Sequence, residues 1–175
     1  VHRVLEAAPT LQRLRLSSIE PLEVTADVIR LVAENPRIAN HLHIPMQSGS
    51  ARILREMRRP YSPEYYQELI RSVRERIDDS AIGADVMVGF PGETDSDFQE
   101  TWDLISRSPL TYLHVFPFSS RPGTAAAELT DPVPGHVAQF RVHSLKRLIA
   151  QKNNVFRQSL IGRSLKALVL HSGEA

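Results

Sequence analysis

The stretch Gly83-Ala84-Asp85-Val86-Met87-Val88-Gly89-Phe90-Pro91-Gly92-Glu93-Thr94 decides the fold: an alternating apolar run breaks into a loop with glycines and a proline, and a helix opens behind it. In an extended segment Val86 and Val88 point one way and Asp85 and Met87 the other. Asp85 therefore belongs to a strand face shared with other inward side chains. Parallel α/β proteins place their chemistry at such strand-to-loop junctions.

The same βα period recurs on both sides. Leu14 to Pro21 reads as a first strand, followed by a helix that Thr25 caps and that buries Val28, Ile29 and Val32 before ending at Asn35-Pro36. His41 to Gln47 reads as a second strand, leading through Ser48-Gly49-Ser50 into a short basic helix that reaches Arg58. Ser62-Pro63 opens an extra helix with Tyr66, Leu69, Ile70, Val73 and Ile77 at helical spacing. The Asp85 strand is the third, and its helix carries Phe98, Trp102 and Ile105 on one face. Tyr112 to Phe118 is the fourth, running into Ser119-Ser120-Arg121-Pro122-Gly123-Thr124. From Pro134 to Leu160 the pattern is one long helix with Val137, Phe140, Leu145, Leu148, Ile149 and Phe156 inward and Gly162 placed to stop it. A strand-like tail runs from Leu165 to His171. The alternation predicts an α/β fold with a parallel sheet, open or closed into part of a barrel; a complete eightfold barrel needs about 250 residues, so 175 supply only part of one.

Composition narrows the function classes. With 42% hydrophobic residues the chain can bury a domain-sized core, and 21 basic against 20 acidic residues give a formal charge of +1 that points to no nucleic-acid partner globally. No run approaches the roughly 20 apolar residues of a membrane span, so no membrane partner is expected. The start at Val1-His2-Arg3 shows no signal pattern and reads as a piece of a longer, cytoplasmic protein. There is no cysteine, which removes disulfides, thiolate nucleophiles and cysteine-ligated metals from these residues.

Site residues of this architecture collect at the carboxyl ends of strands: here Ser17 to Glu20, Gln47 to Ser50, Asp85 to Glu93 and Ser119 to Thr124, each polar or glycine-rich. A structural reading stands beside each. Asp85 can be a hydrogen-bonded structural carboxylate, Gly89 and Gly92 can supply turn conformations, and Gln47 and Ser48 can cap the next helix. Arg55, Arg58 and Arg59 can be a solvated helix face. His41 and His43, two apart on a strand, face one side as metal-binding pairs do, but no further ligands follow at hydrolase spacing, so no metal site is assigned.

Taken together, Arg15-Leu16-Ser17-Ser18-Ile19-Glu20-Pro21, His43-Ile44-Pro45-Met46-Gln47-Ser48-Gly49-Ser50, Val88-Gly89-Phe90-Pro91-Gly92-Glu93-Thr94 and Phe118-Ser119-Ser120-Arg121-Pro122-Gly123-Thr124 resemble the radical S-adenosylmethionine methylthiotransferases. The resemblance covers about residues 11 to 170. Ser17 to Pro21 and His114-Val115-Phe116-Pro117 look most like the branch acting on threonylcarbamoyladenosine in tRNA, beside the anticodon; siblings act on isopentenyladenosine in tRNA or on ribosomal protein S12.

The resemblance implies the later part of a radical S-adenosylmethionine partial barrel through residue 162, with residues 163–175 opening a small TRAM-like RNA-binding β domain. It also implies a 4Fe-4S cluster at which S-adenosylmethionine yields a 5'-deoxyadenosyl radical, and a second cluster for sulfur insertion. The family's cluster ligands are cysteines, which this sequence lacks, so these residues alone are expected to be inactive. By the same resemblance Gln47, Ser48, Arg59, Asp85 and Gly89 contact S-adenosylmethionine, and Ser119 and Arg121 contact the tRNA substrate. The chemistry suits them: a carboxylate accepts from ribose hydroxyls, and a guanidinium grips a carboxylate in two-pronged fashion. Lys146, Arg147, Lys152, Arg157, Arg163 and Lys166 gather basic charge that suits phosphates or, equally, a solvated helix face. Two other classes stay open: a metal-dependent partial-barrel hydrolase using His41 and His43, and a non-catalytic RNA-binding scaffold. Unpaired strand edges predict self-association.

Overall fold

A computed structural model describes residues 1–165. The elements in chain order are α1 (His2–Ala7), a 3-10 turn (Pro21–Glu23), α2 (Ala26–Glu34), β1 (His41–His43), α3 (Ala51–Glu56), α4 (Pro63–Arg76), β2 (Ala81–Val88), α5 (Asp95–Arg107), β3 (Tyr112–Pro117), a second 3-10 turn (Ala125–Glu128) and α6 (Gly135–Ser159). The strands form one parallel sheet in the order β1-β2-β3. Helix starts follow the local chemistry: the Thr25 and Ser62 hydroxyls accept from the backbone N–H groups of Val28 and Tyr65, and Pro63 sits in the first turn of α4. The expected tail from Leu165 to His171 and the second domain expected over residues 163–175 lie largely outside the described residues.

The sheet is shorter than the sequence pattern implies. The segment expected as a first strand touches β1's flank only at its ends. The Leu14 N–H donates to Arg37 O at 2.7 Å, Ala39 N–H to Leu14 O at 2.8 Å, and Ile19 N–H to His43 O at 3.0 Å. Between these, Ser18 takes a left-handed backbone (φ 55°) that interrupts any ladder. β1 ends at His43, but its bonding to β2 runs on: Ile44 N–H donates to Gly83 O, the Met46 and Gln47 N–H groups both donate to Asp85 O, and Met87 N–H donates to Gln47 O. Pro45, with no N–H to give, falls at a position whose nitrogen faces away from β2.

The two sheet faces differ sharply. Leu42, Ile44, Ile82, Ala84, Val86 and Val88 are buried against the helices with Val32, Tyr66, Ile70, Val73, Leu104, Ile105 and Leu145. Each large aliphatic among them stabilises the fold by about 1.5–3 kcal/mol. The register places His41, His43, Gly83, Asp85, Met87, Tyr112, His114 and Phe116 together on the opposite face. The expected separation of Asp85 and Met87 from Val86 and Val88 is what the strand shows, the former half-buried and the latter buried.

α6 rotates differently from expectation. Its buried residues are Ala138, Arg141, Val142, Leu145 and Ile149, whereas Phe140 is 63% exposed. The cause is Arg141, which is drawn inward by Glu93 (2.6 Å) and Asp95 (2.7 Å) and turns Phe140 outward. Among the described residues no helix is long and apolar enough to cross a membrane.

Candidate functional site

At the carboxyl end of the sheet a cleft of about 370 Å³ opens between the strand ends and α3. Met87, Phe90, Phe116 and Phe118 give it an apolar floor; Gln47, Arg58, Arg59, Ser119 and Arg121 stand around it. Gln47 reaches it through a left-handed backbone (φ 65°), and Arg58 shares that conformation (φ 55°) where α3 has ended. Arg59 lies 3.3 Å from both carboxylate oxygens of Glu20, which joins the first strand-like segment to the rim. Both partners are solvent-accessible, so the pair contributes only about 0–1 kcal/mol and yields readily to a better carboxylate.

Of the residues singled out from sequence, Gln47, Arg59, Ser119 and Arg121 meet at this cleft. Ser48 does not line it: the buried hydroxyl lies 3.3 Å from Thr101 Oγ1 and accepts from Ser50 N–H at 3.1 Å. Gly89 also sits apart, with φ 73°, its N–H donating to Glu93 Oε2 at 2.6 Å. A side chain there would stand 2.9 Å from the Ala138 methyl. Asp85 lies one side-chain layer deeper than Met87 on the same face. Glu56, Met57, Phe90, Phe116 and Thr124 also line the cleft and were not assigned from sequence. Phe116 was legible in principle, since it alternates with His114; Met57 was not, because its place depends on where α3 ends.

The loops around the cleft are held by Asp97. Its carboxylate accepts from Ser50 Oγ (2.7 Å), Thr94 Oγ1 (2.6 Å), Thr94 N–H (2.8 Å) and the Arg52 guanidinium, which also donates to Gly92 O at 2.6 Å. Burial alone would raise this carboxyl's pKa, but the bonds from Arg52, Thr94 and Ser50 outweigh it and hold the group well below the usual carboxylate range. Gly49 is needed in the same clamp, because a side chain there would meet Thr101 Cα at 2.5 Å. The Ser48-Gly49-Ser50 and Gly92-Glu93-Thr94 loops are thereby fixed to each other through α5.

Below the cleft a polar network covers the sheet. Arg15 Nη2 lies 2.7 Å from His41 Nε2, which lies 2.6 Å from the Tyr112 hydroxyl. That hydroxyl is 3.1 Å from His43 Nδ1. His43 Nε2 and His114 Nδ1 approach Asp85 Oδ1 at 3.0 and 3.2 Å. Burial, reinforced by the Arg15 charge, pushes the pKa of His41 down and keeps it neutral. His41 and His43 share a face as the sequence implied, but Arg15 and Tyr112 occupy the ring of His41.

Along α6, Lys146, Arg147 and Arg157 are exposed, whereas Lys152 donates to Ser106 O (2.9 Å) and Ser108 O (2.8 Å) at the end of α5. Arg163 lies 3.3 Å from Asp78, and Lys166 is outside the described residues.

These features define a class. The profile of the Radical SAM superfamily matches residues 3–105, and the chain belongs to that family. It is 40% identical over 160 residues to the threonylcarbamoyladenosine tRNA methylthiotransferase MtaB of Aquifex aeolicus, covering 91% of this chain and 39% of that protein. It is 42% identical over 163 residues to a tRNA-2-methylthio-N(6)-dimethylallyladenosine synthase of Corynebacterium diphtheriae, covering 93% and 32%. The resemblance to methylthiotransferases carried by the four motifs is borne out by these relatives. The chain spans between about a third and two fifths of their length. Among solved structures, coproporphyrinogen III oxidase (HemN) from Escherichia coli superposes with a TM-score of 0.65 at 20% identity, over 80% of this chain and 32% of that one. The radical S-adenosylmethionine methyltransferase TsrM from Kitasatospora setae does so with 0.57 at 21%, over 71% and 25%. The fold is thus that of the radical S-adenosylmethionine barrel enzymes.

Proposed function

We propose that this chain supplies the S-adenosylmethionine-binding face of a tRNA methylthiotransferase acting on N6-threonylcarbamoyladenosine beside the anticodon. One observation carries the reading: Gln47, Arg59, Ser119 and Arg121, from separate segments, line a single apolar-floored cleft at the strand ends. Arg59 is the anchor for the cofactor's methionine carboxylate, exchanging its weak pairing with Glu20 for a two-pronged one. Gln47, which donates and accepts at once, serves the polar groups beside it, and Met87, Phe90 and Phe116 receive the adenine and exclude water. Ser119 and Arg121, at the far rim, face the tRNA. A cluster-bound S-adenosylmethionine supplies radical chemistry to such enzymes; these 175 residues contain no thiolate to hold a cluster, so no step of that chemistry is assigned to them.

The threonylcarbamoyl branch is favoured by the Ser17-Ser18-Ile19-Glu20-Pro21 and His114-Val115-Phe116-Pro117 motifs, while both branches occur among the relatives. Calorimetric titration of the chain with S-adenosylmethionine, alongside Arg59→Ala, tests the cleft. Loss of a charged hydrogen-bonded contact worth about 1.5–3 kcal/mol weakens binding roughly tenfold to a hundredfold. No binding by the folded chain, or equal binding by the variant, overturns the assignment. Binding of anticodon stem-loops carrying either modified adenosine separates the branches, and preference for the isopentenyl form would replace the branch proposed here.

A further inference from the structure

We propose that His43, Asp85 and His114 form a site for one borderline divalent metal ion of the zinc, cobalt(II) or nickel(II) class, on the polar face of the sheet beneath the cleft. The three residues come from β1, β2 and β3, and their ligand atoms lie within 4.8 Å of one another. Two imidazoles and one carboxylate are a donor set that such ions accept at about 2.0–2.2 Å, with positions left over for water or a further ligand.

A second, independent observation is the unsatisfied nitrogen of His43. His43 is 4% exposed, and its Nε2 has no hydrogen-bond partner of proper geometry although Asp85 Oδ1 is 3.0 Å away. Arg15, which can only donate, reaches both ring nitrogens of His41, with Nε 3.1 Å from Nδ1 and Nη2 2.7 Å from Nε2. The Tyr112 hydroxyl bridges the two imidazoles, 2.6 Å from His41 Nε2 and 3.1 Å from His43 Nδ1. With Nδ1 engaged there, Nε2 is the nitrogen that His43 turns towards the Asp85 carboxylate, and a cation between them would take both as ligands. Tyr112 then plays the part of the hydrogen-bond partner that fixes a metal-ligating histidine's tautomer. His114, whose side chain is 64% exposed, closes the site from the solvent side.

None of these three residues lines the cleft, so the two sites are tested apart, and a metal on Asp85 would take the carboxylate that the family resemblance gives to S-adenosylmethionine. The test uses tag-free chain stripped with chelator, titrated with Zn²⁺ by calorimetry and with Co²⁺ by visible absorption. One equivalent is expected to saturate the chain, Zn²⁺ to displace Co²⁺, and His114→Ala to weaken binding at least about tenfold. Tyr112→Phe, which touches no metal, weakens it about tenfold to a hundredfold, while His143→Ala, on the exposed face of α6, leaves it unchanged. Long-range ¹H–¹⁵N spectra of the zinc-loaded chain give a second readout: His43 is expected to coordinate through Nε2 and carry its proton on Nδ1. Absence of saturable uptake by chain that circular dichroism shows to be folded, uptake unaffected by His114→Ala, or a proton retained on His43 Nε2 in the zinc-loaded chain overturns the proposal.

Discussion

Gly83→Ala should be among the most damaging small substitutions in this protein, although nothing in the local sequence announces it. Gly83 pairs with Tyr112 across β2 and β3, and the phenol ring lies flat over its Cα. A methyl group added there would stand 1.9 Å from Tyr112 Cζ and 2.3 Å from both Cε atoms. The ring must leave, and with it go the hydroxyl contacts to His41 (2.6 Å) and His43 (3.1 Å). Overpacking costs about 1–3 kcal/mol and each lost bond about 0.5–1.5 kcal/mol, together about 2–6 kcal/mol. A domain of this kind has only about 5–15 kcal/mol in hand. Urea denaturation of the chain measures the change. Repeating the substitution in a Tyr112→Ala background isolates its cause: with the ring gone, alanine should be neutral or favourable by about 0.5–1 kcal/mol, the ordinary gain over glycine in a strand. A Gly83→Ala protein within about 0.5 kcal/mol of the parent, or an equal cost in both backgrounds, refutes the reasoning.

Asp97→Asn should lose stability mainly at neutral pH. The Asp97 carboxyl is held below the usual range, so its contribution is present above the unfolded value of about 3.9 and fades as pH falls below it. Urea midpoints of parent and variant should therefore keep their gap from pH 7 to about pH 4 and draw together only below it, and a gap that stays constant down to about pH 2 would contradict the clamp. Arg141→Met removes the partner of a fully buried carboxylate and should cost about 3–5 kcal/mol at pH 7. Burial already raises the Glu93 pKa, against the pull of the Gly89 N–H and Arg141. In the variant, stability should accordingly increase as pH falls through that raised value. Arg141→Met with Glu93→Gln should recover most of the loss, and a double variant as unstable as the single would show that charge is not the cause.

Much of the secondary structure was legible because its signals are local. Thr25 and Ser62 cap the helices their positions imply, Gly162 (φ 84°) follows the end of α6, and alternation set the two faces of β2. The misreadings were long-range in origin. The segment from Leu14 to Glu20 has a strand's composition, but Ser18's backbone and the scarcity of partner bonds leave it extended without a ladder. Phe140 fits a helical period, yet the Glu93 and Asp95 carboxylates, far away in sequence, fix the rotation of α6 through Arg141. Of the residues placed at strand ends, Gln47, Arg59, Ser119 and Arg121 converge, while the side chain of Ser48 and the backbone of Gly89 turn to hold loops together.

By itself the sequence determined the class of fold, the polar carboxyl ends of the strands and, through four motifs, the family. Each of these is written in short runs where periodicity and turn chemistry act on neighbours. It also showed that these residues supply no thiolate to a cluster, since composition needs no geometry. The tertiary structure alone decided which polar residues meet. His41 and His43 stand two apart in the chain and share a face, but register across three parallel strands gives His43 the company of Asp85 and His114 and gives His41 that of Arg15 and Tyr112. Strand register is set by packing of the opposite, apolar face, so no pattern within a single strand could have carried that pairing.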